Sequence, residues 1–532
     1  MSQKKATIAG GASLLGLAGL ICKIIGVLYR IPLAHIIGPT GMGIYQQVFP
    51  LYNLLLCISS AGIPVAISRM VSAHLAKNDP TNARKVFHVS LWLLTAFGFV
   101  ATLFLILIRD PLSVALGTPE ASFGLVMIAP SIFLVCVMSA YRGQFQGRQH
   151  MTPTAVSQLI EQLGKVFLAI PFSFVFASYG KDAFAHAVLG ASGALFGTSL
   201  GEAAALLYMW AKYALTKKQY RTLSQDASQA EMPYKQLGKQ VMITALPITI
   251  GAVIVPICAS VDSFMLVNIM DSYYQQGEAL IRYGLYTGLV FPLINVPTAF
   301  AMAMSVSLVP AISRAVAKKD GDNIKRHTET GLRLSTLIAL PASFGLSLLA
   351  KPVLSVLYGA SYSAEHIALS ASLLQISSLT IFFFTLVQST SGILQGLSKQ
   401  RIPMYTLIVG VVLKIALNYA LVSQSSINIH GAPYASLLCY GVSLFLNLIY
   451  VHKHTKLRFS LKPYLSPLLP TLLMSAFLVM VMLWFEPLVC SSLLALMFVI
   501  LVSIVIFLFA SLQLGAIQKS DLPRKLQRFA RK

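Results

Sequence analysis

The sequence predicts an all-α polytopic membrane protein. Three observations carry this: 56% of the 532 residues are hydrophobic, only 11% are charged, and the apolar residues fall in long unbroken runs. A soluble domain carries about 25% charged residues, so a 57.6 kDa chain with less than half that supply cannot build a water-facing surface. A soluble enzyme, a disordered chain and a secreted disulfide scaffold are all excluded.

A hydrocarbon core of about 30 Å takes roughly 20 apolar residues in a helix. Fourteen runs meet this: 12–37, 46–72, 86–108, 122–141, 153–179, 184–211, 240–269, 284–311, 330–350, 367–394, 403–423, 432–451, 464–484 and 489–513. They are too long and continuous for β-barrel strands. The run after Lys4 and Lys5 reaches Ile37, longer than a signal-peptide core, and is expected to be the first membrane helix.

Charge fixes the expected orientation. Net charge is +23, from 40 Lys+Arg against 17 Asp+Glu. With the N-terminus in the cytoplasm, 32 basic residues fall inside and four outside (Arg109, Lys181, Arg282 and Lys351), the rest lying within spans. That bias predicts both termini in the cytoplasm of a plasma-membrane protein, with the basic loops on anionic headgroups rather than nucleic acid. All six cysteines lie in apolar stretches without Cys-x-x-Cys spacing, so neither disulfides nor a metal site is expected.

The chain also repeats itself. Ala66-Ile67-Ser68-Arg69 recurs as Ala311-Ile312-Ser313-Arg314, and Lys77-Asn78-Asp79 with Asn82 recurs as Lys318-Lys319-Asp320 with Asn323. Gln146-Gly147 with Pro153 recurs as Gln395-Gly396 with Pro403, all at offsets of 241–250 residues. Six spans per repeat make the two copies parallel, a plan suited to alternating access. The expected organisation is a lobe over 1–211, a basic linker over 212–239, a second lobe over 240–451, two added helices over 452–518 and a basic tail over 519–532.

Ionisable groups at membrane depth cost about 2.5–3.5 kcal/mol each on insertion scales and need a partner or a wet cavity. Lys23 and Arg30 lie two turns apart on the first span, Glu161 and Lys165 one turn apart on the fifth, and Lys414 and Asn418 one turn apart on the eleventh. Glu202 and Asp262 occupy the sixth and seventh spans, and Arg282 opens the eighth. One reading gathers Lys23, Arg30, Lys165, Arg282 and Lys414 into a cationic cavity for a pyrophosphate, with Glu161, Glu202, Asp262 and Asn418 as polar or coupling groups. The other makes Glu161–Lys165 a self-neutralising structural pair and Arg30 an interfacial arginine. Pro292 and Pro297 mark either a hinge or a static kink. No Walker motif or metal-ligand spacing is present, so neither a cofactor nor direct ATP use is expected.

Several of these segments resemble a known family. Gly26-x-x-x-Arg30-x-Pro32, Gly38-x-x-Gly41-x-Gly43-x-Tyr45 and Tyr141-Arg142-Gly143-x-x-Gln146-Gly147 are similar to stage V sporulation protein B-type exporters. So are Thr152-Pro153-Thr154-Ala155-x-Ser157-Gln158-x-x-Glu161-Gln162 and Pro292-Leu293-x-Asn295-x-Pro297-Thr298. That resemblance implies the multidrug/oligosaccharidyl-lipid/polysaccharide exporter superfamily, with its MurJ-type lipid II flippases. It implies two MATE-like six-helix lobes, a central cationic cavity, and a groove for an isoprenoid tail on the two added helices. Where that family places a sodium site, this chain has Lys414 and Asn418, and the second-helix arginine of the MurJ type is replaced in the run from Asn53 to Leu56.

The function expected is a flippase, not an enzyme, moving an undecaprenyl-pyrophosphate-linked wall precursor, lipid II first, from inner to outer leaflet. Its expected partners are the lipid-linked saccharide, membrane lipids and peptidoglycan polymerase machinery, in growth or sporulation. Alternatives are another lipid-linked saccharide (teichuronic, capsular or O-unit), a cation-coupled drug exporter, or a non-transporting wall-synthesis scaffold.

Overall fold

The computed structural model describes residues 8–222, 231–274, 277–455 and 465–517. The basic tail and the centre of the linker lie outside them. Among the described residues the chain is helical throughout, without strands. Twelve helices are long and apolar enough to cross a membrane, thirteen if the bent pair Tyr234–Val253 and Pro256–Met270 is one span, and Leu15–Leu28 is a shorter apolar helix. This protein is a multi-pass membrane protein.

The chain divides into two compact units, residues 1–288 and 289–532. In the first, α1 (Ile8–Leu28), α2 (Arg30–Ser60), α3 (Ile63–Ala76), α4 (Pro80–Leu107) and α5 (Arg109–Ala115) lead to α6 (Ala121–Gly147). There follow α7 (Met151–Gly164), a π-helical turn at Lys165–Ala169, α8 (Ile170–Ser178), α9 (Ala183–Thr222), α10 (Tyr234–Met270) and α11 (Glu278–Gly284). The expected first span, 12–37, is interrupted at Tyr29, and α2 kinks at Gly38, whose φ of 65° ahead of Pro39 suits only glycine.

The second unit holds α12 (Phe291–Ala317), α13 (Gly321–Leu348), α14 (Ala350–Tyr358), α15 (Ala364–Gly396), α16 (Arg401–Val422) and α17 (Gly431–Thr455). A final pair, α18 (Leu468–Ser491) and α19 (Leu493–Gln513), follows. This pair docks through one apolar cluster, in which Leu349 and Val353 meet Met474, Leu478, Val489 and Leu496. Lys351 Nζ bonds Glu486 Oε1 at 2.6 Å beside it. Pro292 stands in the first turn of α12 and Pro297 inside it, directly after a π-helical turn at Leu285–Val290. Exposed Leu483, Trp484, Leu494 and Phe498 give the pair a surface suited to acyl chains.

The sequence repeat is a repeat of geometry. Asp79 caps α4, accepting from Asn82 N at 3.0 Å and Asn82 Nδ2 at 2.8 Å. Asp320 caps α13 the same way, from Asn323 N at 3.0 Å and Nδ2 at 2.6 Å. Asn78 and Lys319, one residue earlier, both have φ of 53°. A Cβ on Gly147 would press on Val71, and one on Gly396 on Ile312, so both glycines admit the helix that carries the Ala-Ile-Ser-Arg motif.

These caps yield a pH prediction. Burial alone would raise the Asp79 carboxyl, but the Asn82 and His74 hydrogen bonds outweigh it and hold it below the ordinary carboxylate range. The Asn323 hydrogen bonds do the same for Asp320. A depressed folded-state pKa means the cap is fully effective above the ordinary range and lost as pH falls through the lowered value. Asp79→Ala is expected to cost about 1 kcal/mol, read as a lower unfolding midpoint in detergent, with the deficit shrinking in acid.

Candidate functional site

The best-defined polar site lies inside the first unit, where α9 packs on α2, α6, α7 and α8. Sequence dictates this closeness. Gly190, Gly193, Gly197 and Gly201 line one side of α9, and a Cβ on Gly164 of α7 would stand 2.5 Å from the Gly201 Cα. With backbones in contact there, a Cβ on Gly201 would stand 3.3 Å from the Glu161 carbonyl oxygen, so Glu161, three residues before Gly164, and Glu202, next to Gly201, are brought side by side.

Around them is a network of mixed charge. Arg142 of α6 places Nη2 3.1 Å from Glu161 Oε2 and donates from Nε to Ser157 Oγ at 3.0 Å. Lys165 Nζ lies 3.5 Å from Glu161 Oε1. Tyr52 of α2 donates to Glu202 Oε1 at 2.8 Å, and one turn earlier Phe49 stacks on Tyr45, whose hydroxyl accepts from Tyr29 at 2.5 Å. Glu202 is wholly buried, and its Oε2 has no hydrogen-bond partner. The π-helical turn beginning at Lys165 inserts one extra residue per turn, a feature common at functional sites.

A cavity of about 290 Å3 opens beside this network, lined by Ser60, Arg142, Gln146, Gln158, Glu161 and Gln162 among others. It has room for several waters and groups to hold them. Glu161 faces it. Glu202 lies outside its lining.

The remaining predicted residues are placed as follows. Lys23 of α1 is exposed. Arg30 opens α2, its guanidinium 5.3 Å from the Phe49 ring centre. Arg282 of α11 is engaged within its own unit, by Glu278 Oε1 at 2.8 Å and by the Tyr274 ring at 4.5 Å. Asp262 is buried on α10, next to Ser263, which donates to Gln47 Oε1 at 2.6 Å. Lys414 and Asn418 are buried together on one face of α16, in the second unit. Lys165 therefore shares a site with Glu161 and Glu202, while Arg30 reaches the edge of the same aromatic row through Phe49.

Sequence reasoning passed over Arg142 and Tyr52 as site residues. Arg142 resembled one more inside-facing basic residue, yet α6 continues to Gly147 and carries it into the bundle. A carboxylate at 161 just across the α6–α7 turn was the available signal.

Comparison with known proteins agrees with this architecture. A model of the family described as polysaccharide biosynthesis protein matches residues 8–316, and the MatE model matches 244–420. The chain belongs to the polysaccharide biosynthesis protein family. The membrane protein YabM of Bacillus subtilis is 30% identical over 89% of this chain and 86% of its own. The Bacillus subtilis lipid II flippase MurJ is 26% identical over 84% of this chain and 82% of its own. Stage V sporulation protein B from that organism is 26% identical over 86% of each. A solved lipid II flippase MurJ in an inward closed conformation superposes with a TM-score of 0.68 at 16% identity, covering 94% of this chain and 98% of that one. An inward-facing MATE transporter gives 0.65 at 14% identity, covering 82% and 94%. The relatives named here for an activity are a flippase and a transporter, not catalysts.

The ion-pair geometry predicts a large asymmetry between variants. Glu161→Leu strands two buried cations and is expected to cost about 3–5 kcal/mol, whereas Arg142→Met with Glu161→Leu removes charge of both signs and recovers a measurable part. Unfolding midpoints of detergent-purified protein compare them; equal losses would show that Arg142 and Glu161 are not coupled.

Proposed function

We propose that this protein is a flippase that carries an undecaprenyl-pyrophosphate-linked wall precursor, lipid II first, from the inner to the outer leaflet by alternating access. The observation that carries the reading is similarity over more than four-fifths of the chain to a lipid II flippase, and over a comparable share to a sporulation protein. Basic groups at membrane depth support it. A pyrophosphate is a dense anion, and Lys or Arg at low dielectric binds it far more strongly than at a surface.

In this reading Arg30, Lys23 and Lys414 hold the pyrophosphate while Lys165 and Arg282 guide it. The two repeats rock as lobes over 1–211 and 240–451, both termini face the cytoplasm, and Pro292 and Pro297 serve as the hinge beside the π-helical turn. Peptidoglycan polymerases would receive the product. Comparable similarity to the sporulation protein favours, as second reading, a flippase for another lipid-linked saccharide.

Complementation of a bacterium depleted of its lipid II flippase tests this, with outer-leaflet lipid II as readout. Wild type is expected to restore it. Arg30→Ala and Lys414→Ala at equal membrane abundance are expected to fall at least tenfold, the loss of about 1.4 kcal/mol of anion binding. Failure of well-expressed wild type would overturn lipid II as cargo; full rescue by both variants would overturn the site.

A further inference from the structure

The network in the first unit contains one oxygen that its own residues leave unsatisfied. Glu161 receives Arg142 at 3.1 Å and Lys165 at 3.5 Å, so both its oxygens are engaged. Neither cation bonds Glu202, whose Oε1 takes only the Tyr52 hydroxyl and whose Oε2 takes nothing. A wholly buried carboxylate with an oxygen receiving no hydrogen bond is expensive, and a second carboxylate alongside makes it more so. A proton on Oε2 removes both costs at once. It neutralises Glu202 and supplies the donor that Glu161 accepts.

From this geometry we infer that Glu161 and Glu202 share one proton and form a proton-binding site of the transporter. Charged and titratable groups face the pair from four elements: Tyr45 and Tyr52 on α2, Arg142 on α6, Lys165 at the π-helical turn after α7, and Cys22 on α1 near Glu161. The ninth residue of α8 is reached without any titratable side chain. Proton exchange has a route, because Glu161 lines the cavity of about 290 Å3 whereas Glu202 sits behind it.

Loading has an electrostatic consequence. Arg142 and Lys165 against two carboxylates sum to zero; with one proton added, the four groups carry a single positive charge. A bound anion and the proton therefore favour one another, reciprocally. This second step rests on the flippase reading, whereas the proton site rests on the geometry alone.

Infrared difference spectroscopy of the full chain in nanodiscs, stepped between acid and alkaline pH, tests the site. Wild type is expected to show a protonated-carboxyl carbonyl band that shifts in heavy water. Glu202→Gln, whose amide replaces the neutral acid and donates in its place, is expected to fold normally and lose the band, while Glu486→Gln keeps it. A band unchanged in Glu202→Gln, or absent from wild type throughout the pH range, overturns the inference. So does a Glu202→Gln protein whose unfolding midpoint collapses at neutral pH, since that is the behaviour of an ionised partner. In the leaflet assay, flipping by wild type is expected to fall as pH rises, and Glu202→Gln to be insensitive to pH. Retention of the wild-type pH profile by that variant overturns the linkage. Absence of flipping in wild type fails the flippase reading and leaves the infrared result to decide the proton site.

Discussion

Hydrocarbon offers no hydrogen-bond partner, and the rest of the structure depends on that constraint. Every spanning backbone must satisfy itself, so the described chain is helical wherever it is apolar. Every charged side chain at depth must find another side chain, which turns Arg142, Glu161 and Lys165 into a cluster rather than three separate residues. Among the described residues the helices are broken or bent at Tyr29, at Gly38 before Pro39, between Tyr234–Val253 and Pro256–Met270, and at the π-helical turns. Since the hydrophobic effect cannot drive one apolar helix onto another in lipid, close approach must come from shape.

Glycine supplies that shape in both units. On α9 a run of glycines brings backbones together against α7 and α8, and the same approach that fits the helices also forces two carboxyls into one another's field. Packing and electrostatics are therefore one design here. Moving α9 outward by a methyl group would relieve the carboxyl pair but open the helix contact, so each constraint holds the other in place. At the second unit's edge the added helix pair uses ordinary apolar interdigitation instead, with Lys351–Glu486 at a half-exposed position where a pair of charges contributes little.

How much of this was legible in the sequence follows from the range of each interaction. Hydropathy acts on every residue of a span, so the runs 367–394 and 432–451 anticipate α15 and α17 closely. The Asp79–Asn82 and Asp320–Asn323 caps are local, three residues apart, and their recurrence marked the repeat correctly. Glu161–Lys165 is likewise local. Tyr52–Glu202 spans 150 residues and Arg142–Glu161 crosses a turn, so no periodicity announces them. Kinks were half legible: Gly38-Pro39 is visible as a dipeptide, but the π-helical turn at Lys165 has no compositional mark.

The balance of charge in these buried sites bears on what such a transporter prefers to carry. A cavity for cationic compounds would want carboxylates without cations of their own. Here the carboxylate facing the cavity, Glu161, is held by both Arg142 and Lys165, so it presents no free negative charge. Glu202 is withdrawn behind Tyr52. The polar groups in the rest of the cavity lining are uncharged apart from Arg142, and Lys414 is buried in the second unit. With its carboxylate neutralised, the cavity offers polar amide and hydroxyl groups but no free negative charge to draw in a cation.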